Sequence, residues 1–389
     1  MAVKTREEYL AALKKMRPNI YKFGELIEDV TTHPATKRTV ESHARCFDAA
    51  NDADLEKMYT TTSMFTGEKI QRWNCMMQDH GSLIQNMRFK RQNYRRTGSC
   101  TGAVCVGWNA MNVMWAVTED MDAEYGTNYK ERLKNWILNA QKEGLTVAGA
   151  LTDAKGDRSK PPSQQDDPDT NLHVKEVRED GIVIRGAKLM ICGTAAAQEI
   201  FLLPGSGYKE PDADYALACV VPRDIEGLTI VEARHPSDKR ELEETADVEV
   251  PDTGITQGWL LFDDVFVPNE RVFMCREAKY SGKVIQYFTS NYRACIGGCV
   301  TGQGDVMIGA SILMARANGL KTKTFMNKLV DMSINNTITF GLGAGACALG
   351  FQHSSGSFFA DPHTAHTNKV MVATLPYEVK RLTQEIGGG

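Results

Sequence analysis

The sequence predicts an α+β fold in three consecutive zones: an N-terminal helical domain, a β-rich middle domain and a C-terminal helical bundle. Three observations carry this reading. Apolar residues recur at three- and four-residue steps through residues 1–145, the period of amphipathic helices. Residues 146–277 switch to short alternating or apolar runs bounded by Gly, Pro and Asp, the pattern of strands and turns. Residues 278–389 return to long stretches that are apolar on more than one face, as in helices packed in a bundle or at a subunit interface.

In the first zone, "MAVKTREEYLAALKKMRPNIYKFGELI" reads as an amphipathic helix and lacks the unbroken apolar core of a signal peptide. "ADLEKMYTTTSMF" and "GWNAMNVMWAVTEDMDAEYG" continue the helical period, the latter stopping at Gly126. In the second zone, "NLHVKEVREDGIVIRGAKLMICG" places two strand runs around a turn at Asp180-Gly181, a hairpin signal. "YALACVVP", "GLTIVEARH" and "GWLLFDDVFVPNERVFM" add further strands, so a small β-barrel or sandwich is expected. The third zone holds "GQGDVMIGASILMARANGL" and "KTKTFMNKLVDMSINNTITFGLGAGACALGF". One long polar loop, "TDAKGDRSKPPSQQDDPDT", interrupts the middle zone.

Composition narrows the function classes. The 389 residues are 42% hydrophobic and 24% charged, ordinary for a soluble globular protein. Net charge is −4 and the pI about 6.1, so no basic surplus points to nucleic acid or a membrane surface. The most apolar late stretch, Ile338 to Phe351, is too short and too glycine-rich to span a bilayer. A cytoplasmic protein is expected. Its ten cysteines are then reduced, and most serve as small buried hydrophobes.

Six stretches in order resemble the 4-hydroxyphenylacetate 3-hydroxylase superfamily of flavoproteins, and within it the 4-hydroxybutyryl-CoA dehydratase branch. They are "YKFGELIEDVTTHPAT", "GALTDAKGDRSKPPSQQDDPD", "REDGIVIRGAK", "LLFDDVFVPNERVF", "GGCVTGQGDVMIGA" and "LPYEVKRLTQEIGGG". The resemblance covers nearly the whole chain. It implies an acyl-CoA dehydrogenase-like fold with a middle β-barrel, bound FAD, a homotetramer, and a short-chain acyl-CoA substrate. The reaction it implies is dehydration of 4-hydroxybutyryl-CoA with isomerisation of vinylacetyl-CoA. Two alternatives stay open. One is a reduced-flavin-dependent aromatic monooxygenase, which "RRTG" at Arg95 to Gly98 faintly resembles although the tyrosine that should follow is absent. The other is a non-catalytic paralogue.

For the flavin, the loop "LTDAKGDRS" offers Thr152, Lys155, Arg158 and Ser159 near two glycines, donors that a close-approaching backbone can bring to a phosphate or a ring edge. Taken alone, such a loop reads equally as a solvated turn. "CGTAAAQE" follows a strand, where the implied fold presents hydroxyls or amides to the flavin; Thr194 is the candidate there, with a plain strand-end turn as the other reading.

The resemblance also implies a [4Fe-4S] cluster held by three cysteines and a histidine. Aligned on "CVGWNAMN", Cys105 falls on the second ligand position, while the first falls on Thr101 with Cys100 beside it. On a helix, a five-residue step turns side chains about 140° apart, against about 40° for four. Cys100 therefore has to lie outside the helix to serve. In "NYRACIGGC", Cys299 matches the third cysteine, but Tyr292 holds the histidine position. Cys295, one turn before Cys299, permits an all-thiolate set of Cys100, Cys105, Cys295 and Cys299, with Cys105 and Cys299 the best matched. Packed thiols without iron are the primary expectation, and the cluster a conditional one. Three further positions where the family carries proton-transferring groups hold Ile296, Val300 and Gly258, so the dehydration is expected to be weak or absent. The family continues past the position of Gly389 into another helical segment. The chain is therefore expected to be a fragment or a shortened variant.

Overall fold

The computed structural model describes residues 3–233 and 252–388. Helix α1 (Arg6–Lys14) opens on a capping box: the Thr5 hydroxyl accepts from the Glu8 N–H, and the Glu8 carboxylate accepts from the Thr5 N–H at 2.8 Å. The helical reading of the N-terminal stretch holds only to here. Pro18 follows, and β1 (Ile20–Lys22) and β2 (Glu25–Ile27) form a hairpin through Phe23 and Gly24, both at positive φ. Helices α2 (Lys37–Ala50) and α3 (Glu56–Tyr59) come next. The β-branched run Thr60–Thr62 then becomes β3, paired with β4 (Lys69–Gln71), which shortens the helix expected over "ADLEKMYTTTSMF". Helices α4 (His80–Thr97), α5 (Val106–Tyr125) and α6 (Tyr129–Glu143) each end at a left-handed glycine, namely Gly98, Gly126 and Gly144.

The middle zone supplies β5 (Val147–Ala150), β6 (His173–Val177), β7 (Gly181–Cys192), β8 (Glu199–Leu202), β9 (Leu217–Pro222), β10 (Leu228–Glu232), β11 (Gln257–Pro268) and β12 (Val272–Cys275). The hairpin expected at Asp180-Gly181 is present, joining β6 to β7. Arg234 and His235 of the "GLTIVEARH" run lie outside the described residues. Among the described residues these strands, with β1 and β2, make two open sheets, in the orders β2-β1-β10-β11-β7-β6 and β12-β9-β8-β5, and not the closed barrel expected from the sequence. Strands β5 and β8 explain the difference. They run parallel and are buried at every residue. Strands buried on both faces need covering layers, as in layered α/β sheets, and do not show the in–out alternation of a small barrel.

The chain then enters α7 (Ala278–Ala317), α8 (Lys323–Ala348), the short pair β13 (Phe351–Gln352) and β14 (Phe358–Phe359), α9 (Pro362–Met371) and α10 (Leu375–Gly387). Two compact units result. One comprises Met1–Met76 with Thr101–Phe288, the other Met77–Cys100 with Thr289–Gly389. In the second, the glycines of "GGCVTG" let α7 lie close against α4: a Cβ at Gly302 would stand 2.6 Å from the Arg91 carbonyl oxygen. Its core gathers Ala315, Met332, Val379, Leu382 and Ile386. No helix among the described residues is long and apolar enough to cross a membrane.

Candidate functional site

Within the first unit, the loop after β5 is rooted by a buried lysine. Strand β7 alternates, and Lys188 falls on the inward phase with Ile182 and Ile184. Its ammonium donates to the Leu151 carbonyl at 3.0 Å and the Leu203 carbonyl at 2.9 Å, and pairs with Asp153 Oδ1 at 2.5 Å. Asp153 Oδ2 accepts from the Tyr208 hydroxyl at 2.9 Å, and the Tyr208 N–H donates to Ser281 Oγ at 2.7 Å. Burial and the Asp153 charge push the Tyr208 phenol well above its ordinary range, so it stays protonated and donates. The chain at Gly205 presses on the same root: a Cβ there would lie 2.7 Å from the Leu151 carbonyl oxygen.

Beyond this root the loop borders a cleft of about 580 Å³, between the segment carrying Lys155 and Arg158 and the Gly205–Lys209 wall. That volume suits a small-molecule or cofactor site, typically about 300–1,000 Å³. Lys155 and Arg158 are exposed and form no ion pair among the described residues, whereas neighbouring Lys160 pairs with Asp166 at 2.9 Å. The other loop candidates are placed differently. Ser159 turns back, its hydroxyl donating to Asp157 Oδ1 at 2.7 Å. Thr152 is exposed, and its carbonyl accepts from the Leu189 N–H at 2.8 Å. Neither lines the cleft.

Thr194 stands elsewhere in the same unit. It begins a single 3₁₀ turn after β7, reached through Gly193 at φ 74°, and is fully buried. Its hydroxyl lies 3.4 Å from Glu232 Oε1 at the end of β10. Directly across the sheet from Glu232 is Gly258 of β11. A Cβ at Gly258 would sit 2.5 Å from Thr194 Oγ1 and 2.9 Å from Ile230 Cγ2, so only glycine leaves room for this hydroxyl. Burial pushes the Glu232 carboxyl up to about 7, while Thr256 and Thr194 hydroxyls and the Lys22 and Arg223 charges pull it partly back. Neither Lys188 nor Glu232 was among the sequence candidates. Both were signalled by a charge on the apolar phase of an alternating strand, as in Leu228, Ile230, Glu232.

The segment before α5 is clipped by His43. Its Nδ1 lies 2.7 Å from the Thr39 carbonyl, and its Nε2 accepts from the Ala103 N–H at 3.0 Å. The two partners fix a neutral ring with the proton on Nδ1, and burial lowers its pKa to about 4.

The cysteines separate into distinct environments. Cys100 follows the Gly98 cap of α4 outside any helix, and Cys105 is the N-cap of α5 at φ −132°. The two are therefore not held to helical spacing. Cys295 and Cys299 lie one turn apart on α7, Cys295 buried and Cys299 half-buried. Cys295 Sγ approaches the Leu83 carbonyl at 3.8 Å, and the sulfur of Cys347 is 3.7 Å from Met87 Sδ. The Cys347 thiol and the Lys90 charge hold the Cys295 thiol below its ordinary range, and Cys347 is correspondingly pushed up. Tyr292 receives the Lys90 ammonium against its ring, 5.4 Å from the centroid. Among the described residues no group of three or more His, Cys, Asp or Glu side chains is gathered to hold a metal. The donors do not fit a [4Fe-4S] cluster: the position implied for an imidazole is a phenol under a cation, and the Cys295 thiol is turned to the Leu83 carbonyl.

Comparison with known proteins places this architecture. The 4-hydroxyphenylacetate 3-hydroxylase N-terminal family matches residues 5–274, and the corresponding C-terminal family matches residues 281–389. The 4-hydroxybutyryl-CoA dehydratase/vinylacetyl-CoA-Δ-isomerase of Clostridium aminobutyricum is 35% identical over 99% of this chain and 79% of its own length. The oxygen-tolerant archaeal 4-hydroxybutyryl-CoA dehydratase from N. maritimus superposes with a TM-score of 0.95 at 31% identity, over 100% of this chain and 77% of that one. The oxygenase component of a 4-hydroxyphenylacetate 3-monooxygenase, solved with FAD, gives 0.82 at 22% identity over 99% and 80% of the two chains, a likeness of fold. Glutaryl-CoA dehydrogenase gives 0.55 at 14% identity over 82% of this chain and 72% of its own, which marks the acyl-CoA dehydrogenase-like class. The chain belongs to the 4-hydroxyphenylacetate 3-hydroxylase family.

Proposed function

We propose that this chain is an FAD-dependent enzyme acting on a short-chain acyl-CoA, by chemistry of the dehydratase and isomerase kind. The observation that carries the reading is the likeness to the dehydratases, 35% identity over 99% of the chain, against 22% for the monooxygenase component of the same fold. The cleft suits an anionic cofactor. Lys155 and Arg158 lack carboxylate partners among the described residues, and Gly205 and Gly207 bring backbone close on either side of Ser206. Bound FAD would supply an electron acceptor to activate an acyl C–H bond of low acidity. Lys155 and Arg158 hold its negative charge, and the Lys188–Asp153–Tyr208 root keeps their loop in place, while Thr194, buried outside the cleft, is not a contact of this site. Thr152 and Ser159 contribute through backbone and loop shape.

Ile296 and Val300 cannot exchange protons, so both dehydration of 4-hydroxybutyryl-CoA and the proton shift that isomerises vinylacetyl-CoA are slowed; the isomerisation, which breaks no C–O bond, is the simpler assay. Crotonyl-CoA formed from vinylacetyl-CoA by the FAD-loaded protein supports the reading. Hydroxylation of a phenol with reduced flavin moves it to the monooxygenases, and FAD retention without either product marks a non-catalytic paralogue.

Self-association goes with this reading. Met326, Val330, Ile334 and Ile338 form one four-residue-spaced stripe on α8 and stay 43–53% exposed, an apolar face suited to a second copy and, by the family resemblance, to a tetramer. A cytoplasmic location fits too, because acyl-CoA chemistry and ten thiols both belong to a reducing compartment.

A further inference from the structure

We infer that Asp212 is a specificity-determining residue of the cleft: its carboxylate accepts from the vicinal hydroxyls of an adenosine ribose whose diphosphate lies on Lys155 and Arg158, and it turns away a ribose phosphorylated at the 3′ hydroxyl. The inference rests on the proposed flavin site and names the group that tells FAD from coenzyme A there.

The chain just past the glycine wall brings this carboxylate to the cleft. The short 3₁₀ segment Glu210–Tyr215 kinks at Asp212. Of its three acidic residues, Glu210 and Asp214 are exposed, while Asp212 is 7% exposed. Asp212 lines the cleft together with Lys155, Arg158 and Lys209, yet it forms no ion pair among the described residues. The one hydrogen bond of its side chain there comes from the Ser163 N–H, which donates to Oδ1 at 3.1 Å; Oδ2 meets no donor among the described residues. Two phenols feel the Asp212 charge, and both are committed elsewhere. The Tyr208 hydroxyl donates to Asp153 at 2.9 Å and the Tyr215 hydroxyl to the Pro168 carbonyl at 3.1 Å. A carboxylate oxygen so deeply buried and without a donor is costly, and the cost falls when a ligand supplies one.

The two signs of charge define the ligand. Lys155 and Arg158 attract an anion, and Asp212 repels the same anion. Both are satisfied only by a ligand whose negative group stands beside neutral O–H donors. A sugar phosphate has that pattern. The vicinal hydroxyls of a ribose offer two donors to a group that only accepts, the same chemistry by which acidic side chains read a ribose in dinucleotide-binding folds. FAD and the acyl-CoA of the proposed reaction share an ADP portion, so a cationic cleft alone does not separate them. They differ at the ribose: both hydroxyls are free in FAD, whereas coenzyme A carries a phosphate at the 3′ position. That phosphate removes one donor and sets like charge against a buried carboxylate. Asp212 therefore favours the adenosine end of FAD and keeps the cleft from being occupied by that of coenzyme A.

The test is titration calorimetry of the full chain with ADP, 2′,3′-dideoxy-ADP, 3′-phospho-ADP, FMN and FAD. The wild type is expected to bind ADP about 10- to 150-fold more tightly than the dideoxy and 3′-phospho forms, the range of a charge-assisted hydrogen bond. Asp212→Asn keeps an oxygen for the Ser163 N–H and loses the charge. Its affinity for ADP is expected to fall by a similar factor, and its preference among the three nucleotides to shrink below about 10-fold. Three nucleotides bound equally by the wild type overturn the inference, and that measurement needs no variant. ADP affinity unchanged in Asp212→Asn overturns it too. FMN that binds where ADP does not, and is weakened by Asp212→Asn, moves the carboxylate to the ribityl hydroxyls and overturns the ribose assignment. FAD that binds alike to the wild type and Asp212→Asn but is weakened by Arg158→Ala overturns the inference and leaves the flavin site standing. Diol-selective ADP binding in a chain that takes up no FAD overturns the flavin site and leaves the ribose contact. A wild type that binds neither ADP nor FAD overturns both.

Discussion

Replacing Lys188 with methionine removes the ammonium that roots the cleft loop and leaves the apolar stem in place. Three contacts go: the carbonyls of Leu151 and Leu203, and the ion pair with Asp153. The Asp153 side chain is 7% exposed, so its carboxylate stays buried with the Tyr208 hydroxyl alone to offset it. Removing one partner of a buried pair costs about 3–5 kcal/mol, most of it the stranded charge. At about 2–3 °C per kcal/mol for a unit of this size, Tm falls by roughly 6–15 °C. The double variant Lys188→Met, Asp153→Leu removes the stranded charge and is expected to recover most of that loss. Calorimetric Tm of the wild type and the three variants, read as a double-mutant cycle, measures it. A Lys188→Met variant within about 1 kcal/mol of wild type, or a double variant less stable than either single, would refute the argument that this pair holds the loop.

Arg158→Ala removes a charge-assisted donor worth about 1.5–3 kcal/mol, so FAD affinity by equilibrium titration should drop about 10- to 150-fold; unchanged affinity removes Arg158 from the site. His43 is held neutral with its pKa lowered to about 4. Its contribution, about 3 kcal/mol, is therefore complete above the unfolded value near 6.5 and is lost as pH falls to about 4. Urea unfolding across that window should show a shallower pH dependence in His43→Gln, and identical slopes would contradict it. Ile334→Arg puts a charge in the exposed α8 stripe and should shift sedimentation velocity toward the monomer; an unchanged assembly would place the interface elsewhere. Protein purified without oxygen should show flavin colour without stoichiometric iron, and iron with acid-labile sulfide at cluster stoichiometry would reverse the reading of Cys295 and Tyr292.

Features set by neighbours in sequence were legible. Helix stops at Gly126, the hairpin at Asp180-Gly181 and the family resemblance all depend on short stretches read in order. Features set by distant partners were not. Barrel or open sheets turns on which strand edges meet, and no local pattern in "VAGA" or "EIFL" says so beyond unbroken burial. Within the candidate site, Lys155 and Arg158 were found from donors beside glycine and do share a cleft, while Ser159 is consumed by Asp157 two residues away. Cys347, the actual neighbour of Cys295, sits on another helix at no ligand-like spacing. Glu232 and Lys188 were legible in principle, because period-two alternation already marked each as a charge among apolar residues.

The first strand of the chain waits for a partner made much later. Strand β1 lies parallel to β10, and just before it the Arg17 N–H donates to Asp224 at 2.9 Å across 207 residues of sequence. At about 5–20 residues per second of synthesis, that edge stays open for roughly 10–40 s on the ribosome. Until β10 emerges, Ile20 and Ile27, both buried in the finished sheet, have no strand to cover them from that side. The hairpin at Phe23 and Gly24 gives the nascent strand a temporary partner in β2, which occupies one of its two edges. Because Glu232 ends β10, its buried environment forms only after this late pairing closes. Loop closure over such a distance makes this part of the sheet among the last to assemble.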